Sequence, residues 1–232
     1  MANATATDIA ETRMRPSVLL TYASSLDGSI AARAGAPFAL SGRAALEMTH
    51  RLRAAHDAIL VGIGTVLSDN PQLNVRFAQG PNPRPIILDA RLRCPPEARC
   101  LDAERGTLIA AAPHASETAQ RALENAGATV LRVPHLPGDE SQIDLRALLQ
   151  ALAARNIRTL MVEGGARVIT SFLQARLVDR VVLTLAPTFI GGVRGVNTLL
   201  ATQNFPRLKN MTVTQLENDI IVQGEMDWTS AA

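Results

Sequence analysis

From residue 17 onward, short continuous apolar runs alternate with stretches in which apolar positions recur every three or four residues. Brief runs bounded by Gly, Pro or Asp predict strands buried on both faces, and the longer spacing predicts amphipathic helices. Strands are expected at 17–23, 58–62, 85–89, 107–111, 129–133, 159–162 and 178–186. Helices are expected at 42–55 with Ser41 as N-cap, at 116–126, at 144–155 from an Asp144 cap, and after Gly165 through Ile169, Phe172 and Leu173. The ending changes character: 211–216 and 220–226 flank a Glu-Asn-Asp turn and predict an antiparallel hairpin. Strand and helix in alternation predict one α/β domain whose mostly parallel sheet ends in an antiparallel edge. That domain is expected to span 15–228, between a flexible tail at 1–14 and a second at 229–232.

Composition narrows the classes of function. The chain has 232 residues and a formal charge of only +2, with no Lys/Arg block and 3% aromatic residues. Neither nucleic acid nor a membrane surface is expected as a partner. No apolar run approaches the roughly 20 residues of a membrane span, and 1–12 lack the apolar core of a signal peptide, so a cytoplasmic protein is expected. Cys94 and Cys100 have no His or Cys at zinc spacing and read as free thiols, and no metal site is expected. Lys209 is the sole lysine among 23 basic residues, in a polar stretch unsuited to Schiff-base chemistry.

Two glycine turns carry the candidate chemistry. Met161-Val162-Glu163-Gly164-Gly165-Ala166-Arg167 ends a strand and opens a helix, where paired glycines let backbone N–H groups approach a bound group and the helix N-terminus favours an anion. Glu163, just before the turn, suits a hydrogen bond to an organic ring or sugar better than a phosphate contact. The alternative is a turn made tight for packing alone. Upstream, 57–71 reads as a strand, a Gly-x-Gly turn and a short helix ended by Pro71. Thr65 either meets a phosphate or ribose or simply caps the helix. Asp69, one turn on, either shares that cleft or begins an Asp-Asn-Pro turn. Arg53 and Arg76 are forks suited to a phosphate monoester, or else solvated charges. Asp27, in Ser24-Ser25-Leu26-Asp27-Gly28, is either a turn residue or a substrate acceptor.

Four segments together resemble the pyrimidine reductases of riboflavin biosynthesis: A-S-S-L-D-G-S-I at 23–30, D-A-I-L-V-G-I-G-T-V-L-S-D-N-P-Q-L-N-V-R at 57–76, V-E-G-G at 162–165 and A-P-T-F-I-G-G at 186–192. The resemblance runs from about residue 15 to residue 228. It implies a dihydrofolate-reductase-like fold with helices on both faces of the sheet, NADPH as cofactor and a homodimer. It also implies reduction of the ribose of a phosphoribosylamino-pyrimidine to a ribityl chain. By motif position, Ala23, Thr65, Asp69, Gly164 and the segment Gly165, Ala166, Arg167, Val168, Ile169, Thr170 and Ser171 would contact the cofactor. Arg53, Leu73, Arg76 and Glu163 would contact the substrate, with Asp27 and Glu163 at the reaction centre.

Beyond the matched motifs, Arg91 and Arg93 are candidates for the 2′-phosphate of NADPH, and His50, His56, His114 and His135 read as surface or packing residues. The apolar loop 34–40 is expected to shape the substrate pocket. There is no His-x-Glu followed by Pro-Cys-x-x-Cys, so the zinc deaminase that accompanies this reductase in bifunctional enzymes is not expected here. The competing readings are another NAD(P)H reductase on the same fold, acting on a pteridine, imine or carbonyl, and a non-catalytic nucleotide-binding protein.

Overall fold

The structure is a computed structural model, and it describes residues 15–36, 38–197, 199 and 205–228, with the side chains of 140 and 141 left aside. The expected tails at 1–14 and 229–232 lie outside the described residues, apart from what can be read of the sequence itself.

In chain order the elements are β1 (Ser17–Ser25), β2 (Ser29–Ala31), α1 (Arg43–Ala54), β3 (Ala58–Gly62), α2 (Ile63–Asp69), β4 (Arg84–Leu88), β5 (Leu108–Ala111) and α3 (Glu117–Asn125). They continue with β6 (Thr129–Arg132), β7 (His135–Leu136), β8 (Asp139–Ile143), α4 (Leu145–Ala153), β9 (Thr159–Val162), α5 (Ala166–Gln174), β10 (Arg180–Ala186), β11 (Val193–Arg194), β12 (Arg207–Leu216) and β13 (Asp219–Asp227). Nine strands form the main sheet in the order β12-β13-β10-β1-β9-β3-β4-β5-β6. The stretch from β10 to β6 is parallel throughout, and β13 and β12 add antiparallel to β10. The expected architecture, a mostly parallel sheet with helices on both faces and an antiparallel C-terminal hairpin, is the one observed.

The chain passes from β1 to β3, runs outward through β4, β5 and β6, and then returns to insert β9 between β1 and β3. Such a reversal opens a crevice at the carboxyl ends of the strands, where parallel α/β sheets bind their ligands. Successive strand residues point to opposite faces, and both faces are covered. Leu20, Leu60 and Val162 pack under α4 and α5 with Leu148, Leu152 and Phe172. On the other face Ile59, Val61 and Ile109 pack with Val66 of α2 and Leu123 of α3, while Leu19, Met161 and Val182 meet Ala45 of α1.

Local side chains cap two of the five helices among the described residues. Asp144 accepts the N–H groups of Arg146 and Ala147 at 2.9 and 3.2 Å, and Ser116 accepts that of Ala119 at 3.3 Å. The start of α1 differs from expectation. Gly42, not Ser41, is the cap residue, and its N–H donates to Oδ2 of Asp219 at 2.7 Å. A carboxylate from the start of β13 thus stands where the helix dipole favours it. The small sheets β2–β11 and β7–β8 were not expected from the sequence.

Candidate active site

The carboxyl ends of β10, β1, β9 and β3 lie side by side, and each carries one of the four matched motifs. At β1 and β10, Asp27 stitches the first motif to the last. Its Oδ1 accepts from Ser25 Oγ at 2.6 Å and from the Ile190 N–H at 2.9 Å; its Oδ2 accepts from Ser29 Oγ at 2.7 Å and the Gly191 N–H at 2.9 Å. Ser29 Oγ in turn accepts the Gly192 N–H at 3.0 Å. These donors, the Ser25 hydroxyl foremost, hold the Asp27 carboxyl well below the usual carboxylate range.

At β3 and β9 the two glycine turns meet. Gly164 and Gly165 take φ values of 74° and 81°, a conformation that other residues adopt only under strain. A Cβ on Gly165 would stand 3.2 Å from Thr65 Oγ1, and one on Gly62 would stand 2.7 Å from Val168 Cγ2. The Thr65 hydroxyl therefore lies against the start of α5, beside a helix N-terminus whose first N–H groups have no partner within the helix. Asn70, with φ of 41°, closes α2 in the left-handed conformation just before Pro71.

Arg53, in the last turn of α1, reaches across the crevice to Glu163. Nε donates to Oε1 at 2.7 Å and Nη2 to Oε2 at 2.6 Å, with both side chains largely buried. Nη1 donates to the Asn74 carbonyl at 2.9 Å. Fully buried His50, one turn earlier on α1, accepts the Arg76 backbone N–H on Nδ1 at 2.8 Å. Burial, with the charges of Arg53 and Arg76, lowers the His50 pKa from its ordinary 6.5 to about 4, so the ring is neutral. The Arg76 side chain is exposed, donates to Gln72 Oε1 at 3.2 Å and to Asn74 Oδ1, and forms no ion pair among the described residues. Partial burial and then the nearby charges of Arg53 and Arg99 lower its pKa, with Glu163 acting in the opposite sense.

The remaining candidates fall into two groups. Ala23 lies on the sheet face that α1 covers, Asp69 is exposed at the end of α2, and Ala166 and Arg167 form the first turn of α5. Leu73, Val168, Ile169 and Thr170 are buried, so they face the core. Leu73 has φ of 50° and its carbonyl accepts from Arg105 Nη1 at 2.8 Å; the Thr170 hydroxyl accepts the Asn197 N–H at 3.0 Å. Ser171 is half-buried on the following turn. His50, which the sequence offers only as a surface or packing residue, lies between the two candidate arginines.

The RibD C-terminal domain model matches residues 16–222. The chain belongs to the RibD C-terminal domain family. Among members of this family, the 2,5-diamino-6-ribosylamino-4(3H)-pyrimidinone 5′-phosphate reductase of Archaeoglobus fulgidus is 36% identical over 214 residues, covering 88% of this chain and 94% of that protein. Of solved RibD-type structures, Saccharomyces cerevisiae riboflavin biosynthesis reductase Rib7 superposes with a TM-score of 0.73 at 29% identity, covering 98% of this chain and 93% of that one. Acinetobacter baumannii RibD gives 0.79 at 30% identity over 92% of this chain, which spans 58% of the longer RibD chain. The resemblance read from the four motifs is borne out.

Proposed function

We propose that this chain is an NADPH-dependent reductase that converts the ribosylamino chain of a phosphorylated aminopyrimidine to a ribitylamino chain, as a step of riboflavin biosynthesis. The observation that carries this reading is the convergence, at the ends of adjacent β9 and β3, of the Arg53–Glu163 pair with the Gly62 and Gly165 turns. The reductase names of the stand-alone relatives support it and favour the diaminopyrimidinone as substrate.

The cradle fits a dinucleotide. A side chain at Gly165 would crowd the Thr65 hydroxyl, and the first turn of nine-residue α5 offers backbone N–H groups to a diphosphate. Exposed Arg91 and Arg93, past the end of β4, are our candidates for a 2′-phosphate and hence for NADPH over NADH. When bound, the cofactor supplies a hydride. Arg53 fixes Glu163 so that its remaining lone pairs accept N–H groups of the pyrimidine. Arg76, which has no carboxylate partner among the described residues, takes the 5′-phosphate. The opened sugar, as its C1′=N imine, gains hydride at C1′ and a proton at nitrogen. Glu163 is committed to a guanidinium and Asp27 to four donors, so we assign the proton to water and give Asp27 a positioning role.

Met211 and Val213 on edge strand β12 are 57% and 59% exposed, which supports a homodimer through this face. No helix among the described residues is long and apolar enough to cross a membrane.

Transfer of label tests the reading. With both C4 hydrogens of the reduced nicotinamide replaced by deuterium, the product is expected to carry deuterium at C1′ of a ribityl chain. Unlabelled product, or label elsewhere, contradicts it.

A further inference from the structure

The segment 74–77 is joined to α1 at three points: Arg53 donates to the Asn74 carbonyl at 2.9 Å, His50 Nδ1 accepts the Arg76 N–H at 2.8 Å, and the His50 ring meets Phe77 edge-on at 4.8 Å between centroids. His50 Nε2 also lies 3.4 Å from Nη1 of Arg53. One buried ring therefore touches both arginines of the site, one through its side chain and the other through its backbone.

We infer that His50 is a positioning residue for substrate phosphate recognition: its Nδ1 fixes the Arg76 backbone so that the guanidinium faces the phosphate, while its neutral ring leaves Arg53 on Glu163. This inference rests on the function proposed above. The chemistry suits histidine among the common side chains. Nδ1 must carry a lone pair to accept the Arg76 N–H, so the ring proton sits on Nε2 and the imidazole is uncharged between two guanidiniums. A cationic side chain here would repel both arginines. An aliphatic one would leave the Arg76 N–H without its acceptor and free the segment to drift. Phe77 completes the arrangement, with the Arg43 guanidinium 4.9 Å and the Arg76 guanidinium 5.5 Å from its ring centre. Arg76 is thus held at its backbone by His50 and along its side chain by Phe77, Gln72 and Asn74.

The test compares His50→Leu, His50→Gln and His50→Asn in the full chain. Asparagine places an acceptor near the position of Nδ1, glutamine near that of Nε2, and leucine provides none. For each protein, kcat and KM are measured with the phosphorylated pyrimidine and with its dephosphorylated counterpart, and NADPH affinity is measured by direct titration. We expect His50→Leu and His50→Gln to raise KM for the phosphorylated substrate by about 10- to 100-fold, the size of effect that misplacing a binding group produces. KM for the dephosphorylated substrate and NADPH affinity should change much less, and His50→Asn should recover most of the loss. Equal losses in asparagine and glutamine variants, equal losses on both substrates, or an unchanged KM would overturn the inference. If the leucine variant does not fold, the asparagine and glutamine variants decide. Failure of the wild-type chain to reduce either pyrimidine would instead overturn the function proposed above.

Discussion

Arg53 and Glu163, 110 residues apart in sequence, meet as a two-pronged ion pair at 2.7 and 2.6 Å, joining the last turn of α1 to the end of β9. The pair is largely buried, so its charges are compensated by each other and by the Asn74 carbonyl rather than by water. In the function proposed above, Arg53 orients Glu163, and Glu163 presents its remaining lone pairs to the ring of the substrate.

Glu163→Gln therefore removes one charge of a coupled pair and leaves Arg53 partly unsatisfied. Turnover of the pyrimidine is expected to fall by at least about 100-fold, matching the loss of a buried charged partner, with NADPH affinity little changed. Steady-state kinetics beside a cofactor titration checks this. Unchanged turnover would remove Glu163 from the site.

A different outcome is expected at Asp27. With four donors on its two oxygens, the carboxylate ties the loop after β1 to the loop after β10. Asp27→Asn replaces one acceptor oxygen by a donor facing donors, so the thermal midpoint should drop. In the folded protein kcat should fall less than about tenfold, below the usual contribution of a general acid. A normal midpoint with a collapsed kcat would identify Asp27 as a proton donor.

The contact between Gly62 and Val168 is tight enough to test by compensation. A methyl at Gly62 would lie 2.7 Å from Val168 Cγ2. Gly62→Ala should destabilise the protein by about 1–3 kcal/mol through overpacking, and Val168→Ala in the same chain should restore part of that. Additive losses in the double variant, read from denaturant unfolding, would contradict the contact.

His50 makes stability depend on pH. Its folded pKa of about 4 lies below the ordinary 6.5, so between these values the unfolded chain binds a proton that the folded chain does not. The neutral ring's contribution is complete above the upper value and is lost as pH falls toward the lower one. Arg53 and Arg76 are the charged groups facing the ring. The midpoint should fall from about pH 7 to about pH 5 more steeply in the wild type than in His50→Asn. Parallel profiles would show that His50 does not titrate this way.

Strands β3 and β9 were legible in sequence to the residue, because both are continuous apolar runs buried on both faces and ended by glycine or a polar residue. The glycine turns were legible for the same reason. The cap of α1 was not, since Asp219 lies 177 residues away from Gly42. The strands β2, β11, β7 and β8 are too short to show a period. Arg53 and Glu163 could each be named as candidates, but their partnership depends on β9 inserting beside β3, which local spacing does not encode. Leu73 matched a motif position, but its burial and its φ of 50° are not written in that motif. His50 was read as a surface or packing residue because its partner, the Arg76 backbone N–H, leaves no mark in side-chain spacing.

The most direct measurement is the oxidation of NADPH by the purified chain when it is offered the phosphorylated ribosylamino-diaminopyrimidinone and, separately, the corresponding aminouracil. Oxidation coupled to formation of the ribityl product is expected, faster with the diaminopyrimidinone. Bound NADPH with no turnover of either pyrimidine would contradict the proposed reaction.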